Sequence, residues 1–168
     1  MDHTNLTLRP FRPEDQERML EMLTSNRINQ TYMLPDFEKQ QDAIPLFHRL
    51  KTLSEDSGRF VRCIDLEGSA IGFLNDVETT DSSIELGYVI HPEYHNRGYM
   101  TAALNWAITE LFSMGYQEVI CGAFEENQAS IRVMEKCSMQ QMEHTDTVKY
   151  RGIHHRCVYY HTINRKEN

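Results

Sequence analysis

The hydrophobic rhythm of the chain changes several times, and each change marks a new element. Leu6 and Leu8 alternate with Thr7 and Arg9 at the period of a short strand, and Pro10 and Pro13 end it. Pro13 suits the first turn of a helix, and Glu14 and Asp15 suit its positive end. Met19, Leu20, Met22 and Leu23 predict a helical apolar stripe, and Ile44, Phe47 and Leu50 predict a second helix within Gln40–Leu53. Period two then returns at Arg59–Asp65, Ser69–Val77 and Ser83–Ile90, with turns at Glu67-Gly68 and Asp81-Ser82, which reads as an antiparallel meander. From Gly98 to Gly115 the apolar residues Met100, Leu104, Ala107, Ile108, Leu111 and Phe112 fall at spacings of three and four, a helix with a glycine stop. Gln117–Ala123 reads as a strand, Gln128–Lys136 as a short helix, and Met139–Val148 and His155–Ile163 as a closing strand pair. This order predicts an α/β fold in which helices flank a mixed, mostly antiparallel sheet, with residues 1–168 forming a single domain.

Composition removes several classes of function. Of 168 residues, 40% are hydrophobic and 25% charged, the balance of a folded chain. A formal net charge of -8 and the lack of a Lys/Arg cluster oppose a nucleic-acid partner. The same sign fits a cationic small molecule or peptide, although solubility accounts for it equally well. No run approaches the ~20 apolar residues of a membrane span, and Met1–Pro10 has no apolar signal core. Cys63, Cys121, Cys137 and Cys157 form no CxxC pair and sit in or beside apolar runs, so a reduced, cytoplasmic protein without a zinc ribbon is expected. His144, His154 and His155 do not read as a metal site, because adjacent residues on a strand point to opposite faces.

The candidate chemistry begins where the strand Ile84–Ile90 runs through His91-Pro92-Glu93-Tyr94-His95-Asn96 into the helix start Arg97-Gly98-Tyr99-Met100-Thr101. A helix start carries unpaired N–H groups and about half a positive charge, which suits phosphate. Gly98 lets the backbone approach a ligand, and Arg97 adds a full charge. Taken alone, this is also an ordinary strand-to-helix connection. Neither GxGxxG nor GxxxxGK[ST] occurs, which disfavours dinucleotide and P-loop enzymes. A second constellation follows the strand Gln117–Ala123. Asn127 either caps the next helix or offers its amide to a ligand with alternating amide groups, and Ser130 stands near the same helix start.

Together these stretches resemble the GNAT acetyltransferase superfamily, in particular the branch of ribosomal-protein N-terminal alanine acetyltransferases. The resemblance is carried by Glu85-Leu86-Gly87-Tyr88, His91-Pro92-Glu93-Tyr94, Asn96-Arg97-Gly98-Tyr99-Met100-Thr101, and Asn127 with Ser130-Ile131-Arg132-Val133-Met134-Glu135-Lys136. It implies a sheet splayed between the strands ending near Ile90 and Ala123, with acetyl-CoA as cosubstrate; no metal is expected from the histidine and cysteine patterns above. The pantetheine arm is expected along Tyr88–Ile90. The pyrophosphate is expected on backbone N–H groups of Asn96, Arg97, Gly98, Tyr99, Met100 and Thr101, with Asn127 and Ser130 at the pantetheine or the sulfur. A backbone N–H near Val89 or Ile90 would polarise the thioester carbonyl. The family's phosphate loop, Q/R-x-x-G-x-G/A, is altered at His95 and Met100, and its frequent Leu-Gly-Phe helix end is replaced by Cys137-Ser138-Met139.

The expected reaction is direct attack of a primary amine (a protein N-terminus, a polyamine or a small-molecule amine) on the thioester. Glu85 is a candidate base or a structural carboxylate. Tyr88 is a candidate acid or a core aromatic, and Ser130 could protect the leaving sulfur. Glu125 and Glu126 are candidate bases or a solvated pair at a helix start. Tyr32, Met33, Phe37 and Tyr150 could line the acceptor pocket or simply pack. The competing reading is a non-catalytic acyl-CoA-binding module. An exposed strand edge would give a homodimer a place to pair.

Overall fold

The computed structural model describes residues 5–165. Its elements are β1 (Leu6–Arg9), a 3-10 turn (Pro13–Asp15), α1 (Gln16–Leu23), α2 (Asn26–Asn29), a second 3-10 turn (Gln40–Ala43), α3 (Ile44–Glu55), β2 (Val61–Leu66), β3 (Ser69–Thr79), β4 (Ser83–Ile90), a third 3-10 turn (Pro92–Tyr94), α4 (Tyr99–Ser113), β5 (Glu118–Phe124), α5 (Gln128–Lys136), β6 (Gln140–Tyr150) and β7 (Ile153–Ile163). The strands are ordered β1-β2-β3-β4-β5-β7-β6. The β4–β5 pair is parallel, while β1–β2, β2–β3, β5–β7 and β6–β7 are antiparallel. The mixed, mostly antiparallel sheet expected from the rhythm of the chain is present. Two-residue turns with both residues at positive φ, Glu67-Gly68 and Arg151-Gly152, close the β2–β3 and β6–β7 hairpins.

The chain forms two compact units. Among the described residues, one holds 5–75 with Tyr88–Ala103, and the other holds Asp76–Gly87 with 104–165. In the first, Met19, Met22 and Leu23 of α1, Phe47 of α3 and Phe73 of β3 are buried in one cluster. Phe11 meets Phe47 and Phe73 edge-on, with ring centroids 6.0 and 6.4 Å apart. Tyr32 and Phe37, which the sequence offered as pocket lining or as packing, pack against this cluster. The Tyr32 hydroxyl donates to Asn75 Oδ1 at 2.5 Å. Beside the cluster, Arg9 makes two 2.8 Å bonds to the Asp15 carboxylate, and its Nε donates to Asp65 at 2.8 Å. Burial pulls the Asp15 carboxyl upward, but the Arg9 fork and the Arg12 N–H outweigh it and hold it below its usual value.

In the second unit, β5 pairs with β7 along its whole length, from Glu118↔Ile163 to Phe124↔Cys157. Alternation buries Val119, Cys121 and Val158 on one face, together with Leu104, Ala107 and Leu111 of α4 and Met134 of α5. The opposite face carries Glu118, Ile120 and Gly122 of β5 with His161 and Tyr159 of β7. The α4 helix ends as expected: Gly115 has φ 108°, and the Tyr116 N–H returns to the Leu111 carbonyl at 3.2 Å. Helix α5 makes the same closure without a glycine. Ser138 takes φ 59°, and the Met139 N–H returns to Met134 at 3.1 Å. The altered helix end therefore keeps its stop, at the cost of a strained serine.

Candidate functional site

Strand β4 buries Ile84, Leu86 and Val89, so its alternation slips by one residue at Gly87-Tyr88. Such a slip re-aims the residues beyond it. Its end is pressed against β3. A Cβ built on Gly72 would overlap the Val89 carbonyl oxygen and lie 3.1 Å from Ile90 Cα. The His91 N–H donates to the Ile71 carbonyl at 2.7 Å.

The loop that follows is anchored at both ends. His91 Nδ1 accepts from the Glu93 N–H at 3.3 Å, and His95 Nε2 donates to the Ile90 carbonyl at 3.0 Å. His95, where the family pattern has Gln or Arg, thus ties the loop back to the strand it left. Burial lowers the pKa of this histidine, which keeps the ring neutral. Asn96 and Gly98 then take φ 60° and 79°, on either side of Arg97. Alternating left-handed residues turn successive N–H groups toward one side, the form of an anion-binding nest. The first helical bond runs from the Ala102 N–H to the Gly98 carbonyl at 3.1 Å. Among the described residues, the N–H groups of Arg97, Gly98 and Met100 meet no protein acceptor. Met100 turns its side chain inward, 6% exposed, so its bulk does not occupy the loop. Arg97 stands over the Tyr94 ring at 5.6 Å.

In the other unit, the parallel β4–β5 register runs from Ser83↔Glu118 to Leu86↔Cys121, and β5 continues to Phe124. Asn127 caps α5, with its Oδ1 accepting the Ser130 N–H at 3.2 Å. Capping uses the oxygen only; no protein acceptor faces the Asn127 amide nitrogen among the described residues. The two readings of Asn127 are therefore compatible.

Glu85 is half-buried and lines a cavity of about 200 Å³ with Glu78, Thr80, Ser83 and Ile120. Burial, then the charges of Glu78 and Asp146, hold its carboxyl above the usual range. Across β5 lies Tyr159, whose ring covers Gly122 so closely that a Cβ there would come within 2.8 Å of it and 3.4 Å of Glu85 Oε1. The Tyr159 hydroxyl donates to Asp146 at 3.0 Å. Neither Tyr159 nor Asp146 stood out in the sequence, because only the β5–β7–β6 pairing brings them beside Glu85.

At the end of β5, Glu126 bonds His155 Nδ1, and the imidazole stacks on Phe124 with centroids 4.2 Å apart and planes 13° apart. Tyr150 flanks the same ring at 6.3 Å. Glu125 pairs with Arg156 at 3.4 Å. Glu125 and Glu126, candidate bases or a solvated pair by sequence, are both exposed and each makes an ion pair of its own. Among the described residues, no group of three or more His, Cys, Asp or Glu could hold a metal ion. All four cysteines are buried and outside any disulfide, and burial pushes the Cys63 thiol up to about 12 and that of Cys137 to about 11.

The predicted residues fall in two groups. Tyr88, Val89, Ile90 and Asn96–Thr101 belong to the first unit, and Glu85, Asn127 and Ser130 to the second. Met33, offered as pocket lining, is 53% exposed.

Comparison with known proteins gives a family. The description of the Acetyltransferase (GNAT) domain matches residues 5–140. YdaF of Bacillus subtilis (strain 168), provisionally named a ribosomal N-acetyltransferase, is 25% identical, over 96% of this chain and 93% of its own. The structure of RimL, a ribosomal L7/L12 alpha-N-protein acetyltransferase in complex with coenzyme A, has a TM-score of 0.83 at 18% identity, covering 95% of this chain and 94% of that one. A spermidine N-acetyltransferase from Vibrio cholerae, in complex with CoA and spermine, has a TM-score of 0.79 at 17% identity, covering 95% and 96%. At these identities the two solved structures speak for the fold.

Proposed function

Since the chain belongs to the GNAT acetyltransferase family and is an acetyl-CoA-dependent N-acyltransferase, we propose that it acetylates a primary amine that is cationic before it reacts, by direct attack in a ternary complex. The observation that carries the donor side is the turn before α4, where among the described residues the N–H groups of Arg97, Gly98 and Met100 meet no protein acceptor. These groups and Arg97 hold the pyrophosphate, with the rest of the Asn96–Thr101 backbone. The pantetheine arm pairs with the backbone of Tyr88–Ile90, and a backbone N–H at Val89 or Ile90 polarises the thioester carbonyl. The Asn127 amide nitrogen and the Ser130 hydroxyl serve the pantetheine amides and the leaving sulfur. Bound acetyl-CoA supplies an activated acyl group; this chain supplies orientation and proton management.

The acceptor reading rests on Glu85. Its carboxylate, beside Glu78 and Asp146, makes a negative surface suited to an ammonium. How much help the amine needs depends on its class. Freeing a lysine-like amine of pKa about 10.4 at pH 7 costs roughly 4.6 kcal/mol, and an α-amine near 8 costs about 1.4. The test is thiol release from acetyl-CoA across peptide N-termini, polyamines and small amines, with CoA affinity measured by calorimetry. Turnover with one amine class supports the reading. CoA binding without thiol release from any primary amine sinks it.

A further inference from the structure

His95 stands where the family's phosphate loop has Gln or Arg, and the structure fixes where its proton sits. A carbonyl oxygen only accepts, so the 3.0 Å contact between Nε2 and the Ile90 carbonyl puts the neutral ring's proton on Nε2. The lone pair is then on Nδ1, the ring nitrogen nearer the backbone. Among the described residues Nδ1 meets no protein partner, and no carboxylate pairs with the ring. Burial is the largest cause that keeps a second proton off this ring. The Ile90 bond works the other way, while the charges of Arg27 on α2 and His91 in the same loop add to the opposition. The ring is thus a neutral group set among cations, with one nitrogen committed and the other unused.

Its place in the loop decides what it can meet. His95 closes the third 3-10 turn, with its N–H donating to the Pro92 carbonyl at 3.3 Å, and Asn96 follows at φ 60°. The N–H groups of Arg97, Gly98 and Met100, which meet no protein acceptor among the described residues, begin two residues after the ring. Arg97 makes no ion pair among the described residues. The ring therefore spans the two segments on which the donor is placed. Its Nε2 end rests on Ile90, where the pantetheine strand ends, and its backbone end stands one residue before the turn. Nδ1 is at the end nearer the turn. A neutral ring offers an anion there a lone pair, which repels it, whereas an imidazolium offers an N–H and a charge. The anion's own charge also offsets the opposition of Arg27 and His91. His95, His91, Arg27 and the turn all belong to the first compact unit.

We propose that His95 is a side-chain ligand of the donor's pyrophosphate, meeting it through Nδ1 as the imidazolium, so that donor binding takes up a proton; the assignment rests on the placing of the pyrophosphate at this turn. The proton comes from solvent and returns there when CoA leaves. The charged ring also strengthens its bond from Nε2 to the Ile90 carbonyl, since a charge-assisted bond is roughly twice as strong as a neutral one. Donor binding thereby tightens the loop onto the strand end. His95 has a lowered pKa in the free protein, and the bound anion raises it. Between the free and the bound value, donor affinity increases as pH falls, by at most about tenfold per pH unit for a single proton. Above both values and below both values, this ring makes affinity independent of pH. A Gln or Arg at this position, as in the family pattern, has no such proton to take up.

The experiment is calorimetry of the full chain with dephospho-CoA, in buffers of different ionisation enthalpy, between about pH 6 and 8. Dephospho-CoA keeps the pyrophosphate and lacks the 3′-phosphate, whose own proton leaves at about pH 6. CoA itself serves as the control for binding. The wild type should take up a proton on binding dephospho-CoA, with affinity increasing as pH falls. His95→Gln keeps an amide N–H for the Ile90 carbonyl but cannot titrate, and it should bind without uptake and without that pH dependence. The ¹⁵N spectrum of labelled histidine reads the same event in the wild type. His95 should be the Nε2–H tautomer in the free protein and doubly protonated in the complex at the same pH. If His95→Gln does not fold, this spectrum and the wild-type proton count carry the test. Undiminished uptake in His95→Gln, or a His95 ring that stays neutral in the complexes with CoA and dephospho-CoA, would overturn the proposal alone. Failure of CoA to bind, or binding that leaves the amide resonances of Arg97 and Gly98 unmoved, would overturn the placing of the pyrophosphate as well.

Discussion

Gly72→Ala tests whether the end of β4 is a working surface. The glycine lies on β3, and a methyl group there would overlap the Val89 carbonyl oxygen, well under the 3.0 Å that real Cβ atoms respect. It would also lie 3.1 Å from Ile90 Cα and 3.2 Å from Ile64 Cδ1. Two of these neighbours are backbone, so no rotamer change relieves the clash. Restoring an ordinary carbon–oxygen separation of about 3.3 Å moves the end of β4 by roughly 1 Å. Overpacking of this kind costs about 1–3 kcal/mol of stability. A misplacement of 1 Å at a reacting centre costs about 10²-fold in rate, or roughly 2.7 kcal/mol at 1.36 per tenfold. The expected outcome is a folded protein with a lowered denaturant midpoint, weaker CoA binding by calorimetry and kcat reduced about 10²-fold. Wild-type CoA affinity and kcat in a variant that has lost the expected stability would refute the role given to Tyr88–Ile90. Unchanged stability would refute the packing argument itself.

Arg9→Met leaves Asp15 and Asp65 buried without their shared cation, and denaturant unfolding should show a loss of about 3–5 kcal/mol. Because Asp15 has a lowered folded pKa, its contribution is complete above its unfolded value of about 3.9 and is lost as pH falls toward the lower folded value. The stability gap between wild type and Arg9→Met should accordingly shrink in acid; a constant gap would contradict this account. Ser138→Gly relieves the left-handed serine at φ 59° and should stabilise by about 1 kcal/mol in chemical denaturation. Glu85→Gln removes a carboxylate whose raised pKa marks an unfavourable charge at neutral pH. Its melting temperature should rise at pH 7 and converge with wild type in acid, while the amine KM rises with CoA affinity unchanged. A lower amine KM would count against Glu85 as an acceptor contact.

Local chemistry made much of the fold legible. The glycine stop of α4, the Glu67-Gly68 hairpin turn and the Asn127 cap each depend on a few neighbouring residues, and each forms where expected. The helix expected over Gln40–Leu53 differs at its start. Asp42 bonds back to the Lys39 N–H and makes a 3-10 turn, and the α-helix begins only at Ile44, with Pro45 in its first turn. Strand β7 begins at Ile153 rather than His155, because the Arg151-Gly152 turn lengthens the hairpin.

The sequence by itself determined the element order, the turn into α4 and the cap of α5, because helix starts, left-handed turns and caps are contacts within about four residues of chain. Only the tertiary structure decided which side chains face one another across strands. Antiparallel pairing of β5 with β7 brings His155 to Phe124 and Glu126, 29 residues apart in sequence for the ion pair. The β4–β5 register and the β6–β7 hairpin set Glu85 among Glu78, Asp146 and Tyr159. A shift of one residue in either register would turn these groups to the opposite face. Single-chain periodicity carries no record of that choice, since it depends on which strand becomes the neighbour.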